Sequence, residues 1–178
     1  MAVGGAELQV LCLLGPEPDL KANWRRLQSM AKTPRILFVS AGNSARGQMA
    51  EGFARYYAGG RLSAHSAGTD PTEVSPYALW VMNEAAVDIK QQSAEPLSAK
   101  NLEEFDRIVV IYDPSRESAP ELSGSSPSHW PLTDPAGLRG PPSQIRDSFR
   151  FSRNEIERRV KSLLQDVLGA PMTAAASA

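Results

Sequence analysis

Ser40 and Arg46 enclose five small or polar residues, Ala41, Gly42, Asn43, Ser44 and Ala45. The apolar run Ile36-Leu37-Phe38-Val39 precedes them and a helical pattern comes after. A loop of this kind, closing on an arginine, suits a tetrahedral oxyanion. Its backbone N–H groups can converge on negative charge, helped by the dipole of the next helix. Gly42 permits positive φ and Asn43 tolerates it better than most residues. Arg46 supplies a planar fork that can hold two oxygens. A plain strand–turn–helix junction with an incidental arginine is the alternative, and the loop by itself does not separate the two.

The surrounding elements must hold that loop. Ile36 to Val39 reads as a strand buried on both faces. Arg46 to Ala58 has helical spacing, with Met49, Phe53 and Tyr56 or Tyr57 inward, and Gly59-Gly60 ends it. Leu62 to Ser66 is a short strand. Pro76 opens a helix running to about Val87, and Leu97 to Leu102 suggests another, capped by Ser98. Ile108 to Ile111 is a second apolar strand. Pro114 to Pro142 is rich in Pro, Ser and Gly and reads as long surface loops, with one compact piece around Trp130-Pro131-Leu132. Ser143 to Leu168 is the longest helix, with Ile145, Phe149, Ile156, Val160, Leu163 and Leu164 on its core side. Strands alternating with helices predict an α/β fold, a three-layer sandwich on a central four-stranded parallel sheet with helices on both faces. Ligand sites in such sheets lie outside the carboxyl ends of strands, where Ser40 to Gly47 falls.

Residues 1–33 read as an N-terminal extension, with a strand at Leu8–Leu14 and a helix at Asp19–Met30. Residues 34–169 form the domain, and 170–178 a frayed tail. The chain of 178 residues holds 19 Lys and Arg against 20 Asp and Glu. No bulk positive charge attracts nucleic acid or an anionic membrane, so phosphate recognition must be local. Cys12 is the only cysteine, which excludes a disulfide within the chain and a cysteine metal site. His65 and His129 are too few for a zinc site. The apolar stretch at Leu8–Leu14 is too short to span a bilayer and makes a poor signal peptide, so the expected compartment is the cytoplasm. No metal and no cofactor are expected.

Ser40-x5-Arg46 followed by Gln48-Met49-Ala50-Glu51-Gly52-Phe53-Ala54 resembles the low-molecular-weight protein tyrosine phosphatases, and still more their relatives, the thioredoxin-coupled arsenate reductases. His65-Ser66-Ala67-Gly68-Thr69, Ala86-Val87-Asp88-Ile89 with Glu95-Pro96-Leu97, and His129-Trp130-Pro131-Leu132-Thr133-Asp134-Pro135-Ala136 agree in the same order. The likeness runs from about Pro34 to Leu168. It implies the fold of those phosphatases, a loop from Ala41 to Arg46 that binds a phosphate-like anion or phosphotyrosine, and a general acid at Asp134. In that family the loop opens with a cysteine, whose thiolate attacks phosphorus or arsenic.

This sequence departs from the family where the chemistry is done. Ser40 stands at the nucleophile position, and Ala45 replaces a cysteine. Gly47 stands where a Ser or Thr hydroxyl usually steadies the thiolate. Ala119, and Tyr112 with it, fall where the reductases carry redox cysteines. A hydroxyl needs a neighbouring base to attack, whereas a thiol ionises near neutral pH. The expectation is a pseudophosphatase that keeps the cradle and has a binding or regulatory role, with residues 1–33 as a docking element for a protein partner. The alternative is an active tyrosine phosphatase carrying a Cys-to-Ser substitution at position 40. Arsenate reduction, which passes electrons through successive disulfides, is not expected from Cys12 alone. Trp130 reads as packing. Arg153, Arg158, Arg159 and Lys161 read as a solvated face with i,i+4 pairing.

Overall fold

A computed structural model describes residues 33–169, apart from 123 and 125. The strand at 8–14, the helix at 19–30 and the tail at 170–178 lie outside the described residues. The chain divides into two units, Met1–Thr33 and Pro34–Ala178. All described residues but Thr33 belong to the second.

Four strands form one parallel sheet: β1 (Arg35–Ser40), β2 (Ser63–Gly68), β3 (Arg107–Tyr112) and β4 (Ser128–Pro131). Their order is β2-β1-β3-β4. Ser40 pairs with Gly68 and Tyr112 with Pro131, so the strands end along one edge. The chain leaves β1 for β2 on one side and then crosses to β3 on the other. The crevice between the ends of β1 and β3 is therefore the switch point where ligands bind in open α/β sheets.

Side chains of β1 alternate between two cores. Ile36 and Phe38 face one cluster, Leu37 and Val39 the other, and all four are fully buried. This is why the strand reads as a continuous apolar run. The first face is covered by α1 (Arg46–Ala58), α2 (Pro76–Glu84) and α3 (Pro142–Leu168). Met49 and Phe53 of α1, Val81 and Met82 of α2, and Phe149, Ile156, Val160 and Leu164 of α3 fill it. Gly59 ends α1 in the left-handed region at φ 54°, where a Cβ would be strained.

The second face is covered differently from the sequence expectation. Instead of one helix capped by Ser98, two 3-10 turns lie there, Leu97–Ala99 and Leu102–Glu104. Asn101, not Ser98, does the capping, its side chain accepting the Glu103 N–H. Leu97, Leu102, Phe105, Ala119 and Leu122 pack against Leu37, Val39 and Val110. Among the described residues this layer is made of short turns and loop. The helix opened by Pro76 stops at Glu84, three residues before Val87, where Ala86 turns to φ 57°. The compact piece around Trp130 is the fourth strand, which pairs with β3 through a segment too short and too little apolar to read as one. Ile145 and Leu163 are only partly buried, while Ser152, unread in the pattern, is buried on the core face of α3.

Candidate functional site

β1 delivers Ser40 to the sheet edge, and the chain turns through Ala41–Ala45 into α1. The loop carbonyls are committed to the segment after β2. Thr69, Asp70, Thr72 and Ser75 donate their N–H groups to the carbonyls of Ser40, Ala41, Gly42 and Ser44. A planar trans peptide sets its N–H opposite its C=O. The N–H groups of Ala41, Gly42, Asn43 and Ala45 therefore point away from that segment. Ala45 caps α1 without a side-chain hydrogen bond, and no acidic residue stands in the first turn. The positive end of this helix is thus left uncompensated by its own sequence. Positive φ in the loop falls on Asn43, at 44°, and not on Gly42. Gly42 matters through space: a Cβ there would come within 3.2 Å of Thr72 Oγ1.

Ser40 and Asn43 are buried, at 2% and 1% exposure, and this decides how their polar atoms are read. Ser40 Oγ and both side-chain polar atoms of Asn43 have no hydrogen-bond partner among the described residues. Buried polar groups without partners are rare and costly in native proteins. Three of them lie together on the loop between β1 and α1. Gly47 belongs to the same cluster. A Cβ at 47 would lie 2.3 Å from Asn43 Oδ1 and 3.0 Å from Ser40 Oγ, so Asn43 leans into the space that a side chain would fill.

Arg46 is buried, and three acceptors from the loops after β3 and β4 surround it. Nη1 donates to the Leu132 carbonyl at 3.0 Å. Nη2 meets Glu117 Oε1 at 2.7 Å and Asp134 Oδ2 at 3.4 Å. Ser40, Arg46 and Asp134 are thus brought to one crevice, with Ala41 to Ala45 between the first two. Asp113, at the end of β3, organises the far wall. Its Oδ2 accepts the Asp134 N–H at 2.9 Å, and its Oδ1 accepts the hydroxyl and the N–H of Ser115 at 2.6 and 3.0 Å. The Ser115 hydroxyl first, then the Asp134 amide, hold its carboxyl below the ordinary range.

Sequence reading passed over Asp113 and Glu117. Asp113 had a signal: a carboxylate directly after an apolar strand, at the edge where sites form. Glu117 had none, because only the turn that carries its N–H back to the Asp113 carbonyl aims it at Arg46. His65 is engaged with Ser63 and Phe105, and His129 with Tyr112. Burial first, then nearby cations, depress the His65 pKa. Trp130 packs on Phe38 at 5.9 Å between ring centres. Among the described residues no group of three His, Cys, Asp or Glu side chains could hold a metal.

The profile of the low molecular weight phosphotyrosine protein phosphatases matches residues 35–170. The chain belongs to that family. Within the family, an arsenate reductase of Halalkalibacterium halodurans is 32% identical over 131 residues, covering 73% of this chain and 94% of the relative. A glutaredoxin arsenate reductase of Synechocystis is 30% identical over 134 residues, 75% of this chain and 98% of its own. A solved arsenate reductase in the phosphate binding state has a TM-score of 0.66 at 28% identity, over 75% of this chain and 98% of that one. A Cys-to-Ser mutant of YwlE arginine phosphatase with a phosphorylated active site serine shares the fold, with a TM-score of 0.57 at 22% identity, over 75% of this chain and 95% of that one. As a low molecular weight phosphatase family member, the chain has serine at position 40 and arginine at 46, at the two ends of the loop between β1 and α1.

Proposed function

We propose that this chain binds a tetrahedral oxyanion in the Ser40–Arg46 loop and does no thiolate chemistry there. One observation carries the reading. Ser40 Oγ is buried at the opening of the loop with no hydrogen-bond partner among the described residues. A serine nucleophile needs a base in hydrogen-bond contact, and none of the carboxylates of the crevice makes one. Asp134 faces Arg46 instead, where the family resemblance gives it the role of proton donor to a leaving group. The phosphate binding state of a 28% identical reductase supports oxyanion binding. In this reading the protein is a pseudophosphatase of the cytoplasm, and residues 1–33 are its candidate docking element for a protein partner.

The relatives favour a second reading, arsenate reduction, since both named above are arsenate reductases. Against it stands the sequence: Cys12 is the only cysteine and lies outside the matched residues 35–170. The third reading, an active tyrosine phosphatase with Cys replaced by Ser at 40, meets Gly47, which stands beside Ser40 without the hydroxyl that would steady a thiolate.

One set of assays separates the three. The unmodified chain should leave p-nitrophenyl phosphate intact and should not reduce arsenate with thioredoxin or glutaredoxin. Phosphate should raise its unfolding midpoint, and Arg46→Ala should abolish that rise. Reduction lost in Cys12→Ser would establish the reductase. Ser40→Cys should hydrolyse p-nitrophenyl phosphate slowly, and Ser40→Cys with Gly47→Ser faster. Full activity from Ser40→Cys alone would instead mark residue 40 as the single lesion in a working phosphatase.

A further inference from the structure

Arg46 gathers three acceptors. Glu117, Asp134 and the Leu132 carbonyl share the N–H groups of the two terminal nitrogens of one guanidinium. Glu117 is not a surface side chain caught in passing. Its Oε1 also accepts the Asp113 N–H at 2.7 Å, and its own N–H donates to the Asp113 carbonyl at 2.9 Å. The bonds from Arg46 and the Asp113 N–H hold this partly exposed carboxylate on the wall of the crevice. Asp134 is held at its backbone, where its N–H donates to Asp113, and its Oδ1 accepts the Ala136 N–H.

The crevice therefore has two unlike sides. The loop side holds the unpartnered Ser40 hydroxyl and Asn43 amide, with the N–H groups of Ala41, Gly42, Asn43 and Ala45 turned away from the segment after β2. The opposite side offers carboxylate oxygens, which only accept when ionised. Formal charge on that side is one guanidinium against two carboxylates. An oxyanion with no proton would press acceptor against acceptor wherever it shares the fork of Arg46. An oxyanion that keeps an O–H can donate to Glu117 or Asp134 while its other oxygens take the loop donors.

We propose that Glu117, seconded by Asp134, makes this crevice selective for tetrahedral oxyanions that carry a proton, free phosphate or arsenate, over sulfate. This rests on the oxyanion-binding reading above. Near neutral pH phosphate and arsenate keep at least one hydroxyl and sulfate has none. A phosphomonoester, whose second proton leaves near pH ~6, is also without one at about pH 7.5. Free ions are then preferred to a phosphorylated side chain. A carboxylate oxygen repels an unprotonated oxyanion oxygen at contact but accepts a hydrogen bond from an O–H, so the proton decides the sign of that contact.

The test is calorimetric titration of the full chain with sodium phosphate, arsenate, sulfate and phenyl phosphate, at about pH 7.5 and one ionic strength. Phosphate and arsenate should bind about tenfold more tightly than sulfate or phenyl phosphate, or better. Glu117→Gln keeps the acceptor for the Asp113 N–H and adds a donor, so it should bring sulfate to within about twofold of phosphate. Equal affinities for phosphate and sulfate in the unmodified chain would overturn the selectivity and leave the cradle standing. Unchanged discrimination in Glu117→Gln would remove Glu117 from the role. Binding of none of the four ions would sink the cradle and the selectivity together. The comparison within the unmodified chain does not depend on how the variant folds.

Discussion

Asp113 shows how one carboxylate can tie the loops after β3 and β4 together. It is buried at 1% exposure and uses its two oxygens on Ser115 and on the backbone of Asp134. In Asp113→Asn one of these contacts must face an NH2 group with another donor. We expect a loss of about 1–3 kcal/mol in stability, read by urea unfolding, and weaker phosphate binding. The pH dependence has a definite sign. A carboxyl held below its unfolded value contributes stability that is full above that value, 3.8, and is lost as pH falls through the folded one. Unfolding of Asp113→Asn below about pH 4 should therefore change less steeply with pH than that of the parent. Gly47 belongs to the same scale. It was legible as a departure from the family, but its spatial reason, the Asn43 side chain 2.3 Å from a would-be Cβ, was not.

The element that carries the loop arginine, α1, is packed so closely that a side chain at one of its glycines would force a neighbour to shift. A Cβ at Gly52 would lie 2.4 Å from Ile89 Cγ2 and 3.2 Å from Met82 Cε. Alanine in a helix gains about 1 kcal/mol over glycine in an open site, whereas overpacking a core costs about 1–3 kcal/mol. Because Ile89 is β-branched and buried, we expect overpacking to win. Gly52→Ala should lower the midpoint in thermal unfolding. On α3, Glu155 pairs with Arg158 and Arg159, and these bonds pull its pKa from 4.5 to about 2. The stability it adds should be present above about pH 4.5 and fade towards pH 2. Glu155→Gln should cost about 0.5 kcal/mol near neutrality, a magnitude usual for such surface pairs, and progressively less as pH falls towards 2. Arg153, read with that solvated face, in fact turns inward to the Val81 carbonyl and Glu84 and fastens α3 to α2.

For the whole molecule, ligand binding and folding are one equilibrium. An ion that binds only the folded chain at 100 times its Kd should add about 2.7 kcal/mol, and the rise should vanish in Arg46→Ala while that variant still unfolds cooperatively. The parallel sheet, its two buried faces and the position of the loop at a strand end could be read from the chain itself. Apolar runs, helical spacing and the glycine pair after α1 are local patterns, and local physics writes them into sequence. Ser128 to Pro131 of β4, the 3-10 turns and the turn at Asp113–Glu117 left no such pattern. Serine at 40, a lone cysteine and the Ser40-x5-Arg46 spacing already set the chemical question by residue type alone. What surrounds Arg46 belongs to the tertiary structure. Glu117 and Leu132 reach it from 71 and 86 residues away along the chain, with Asp134 beside them. Only the packing of β3 and β4 beside β1 brings their oxygens to one guanidinium.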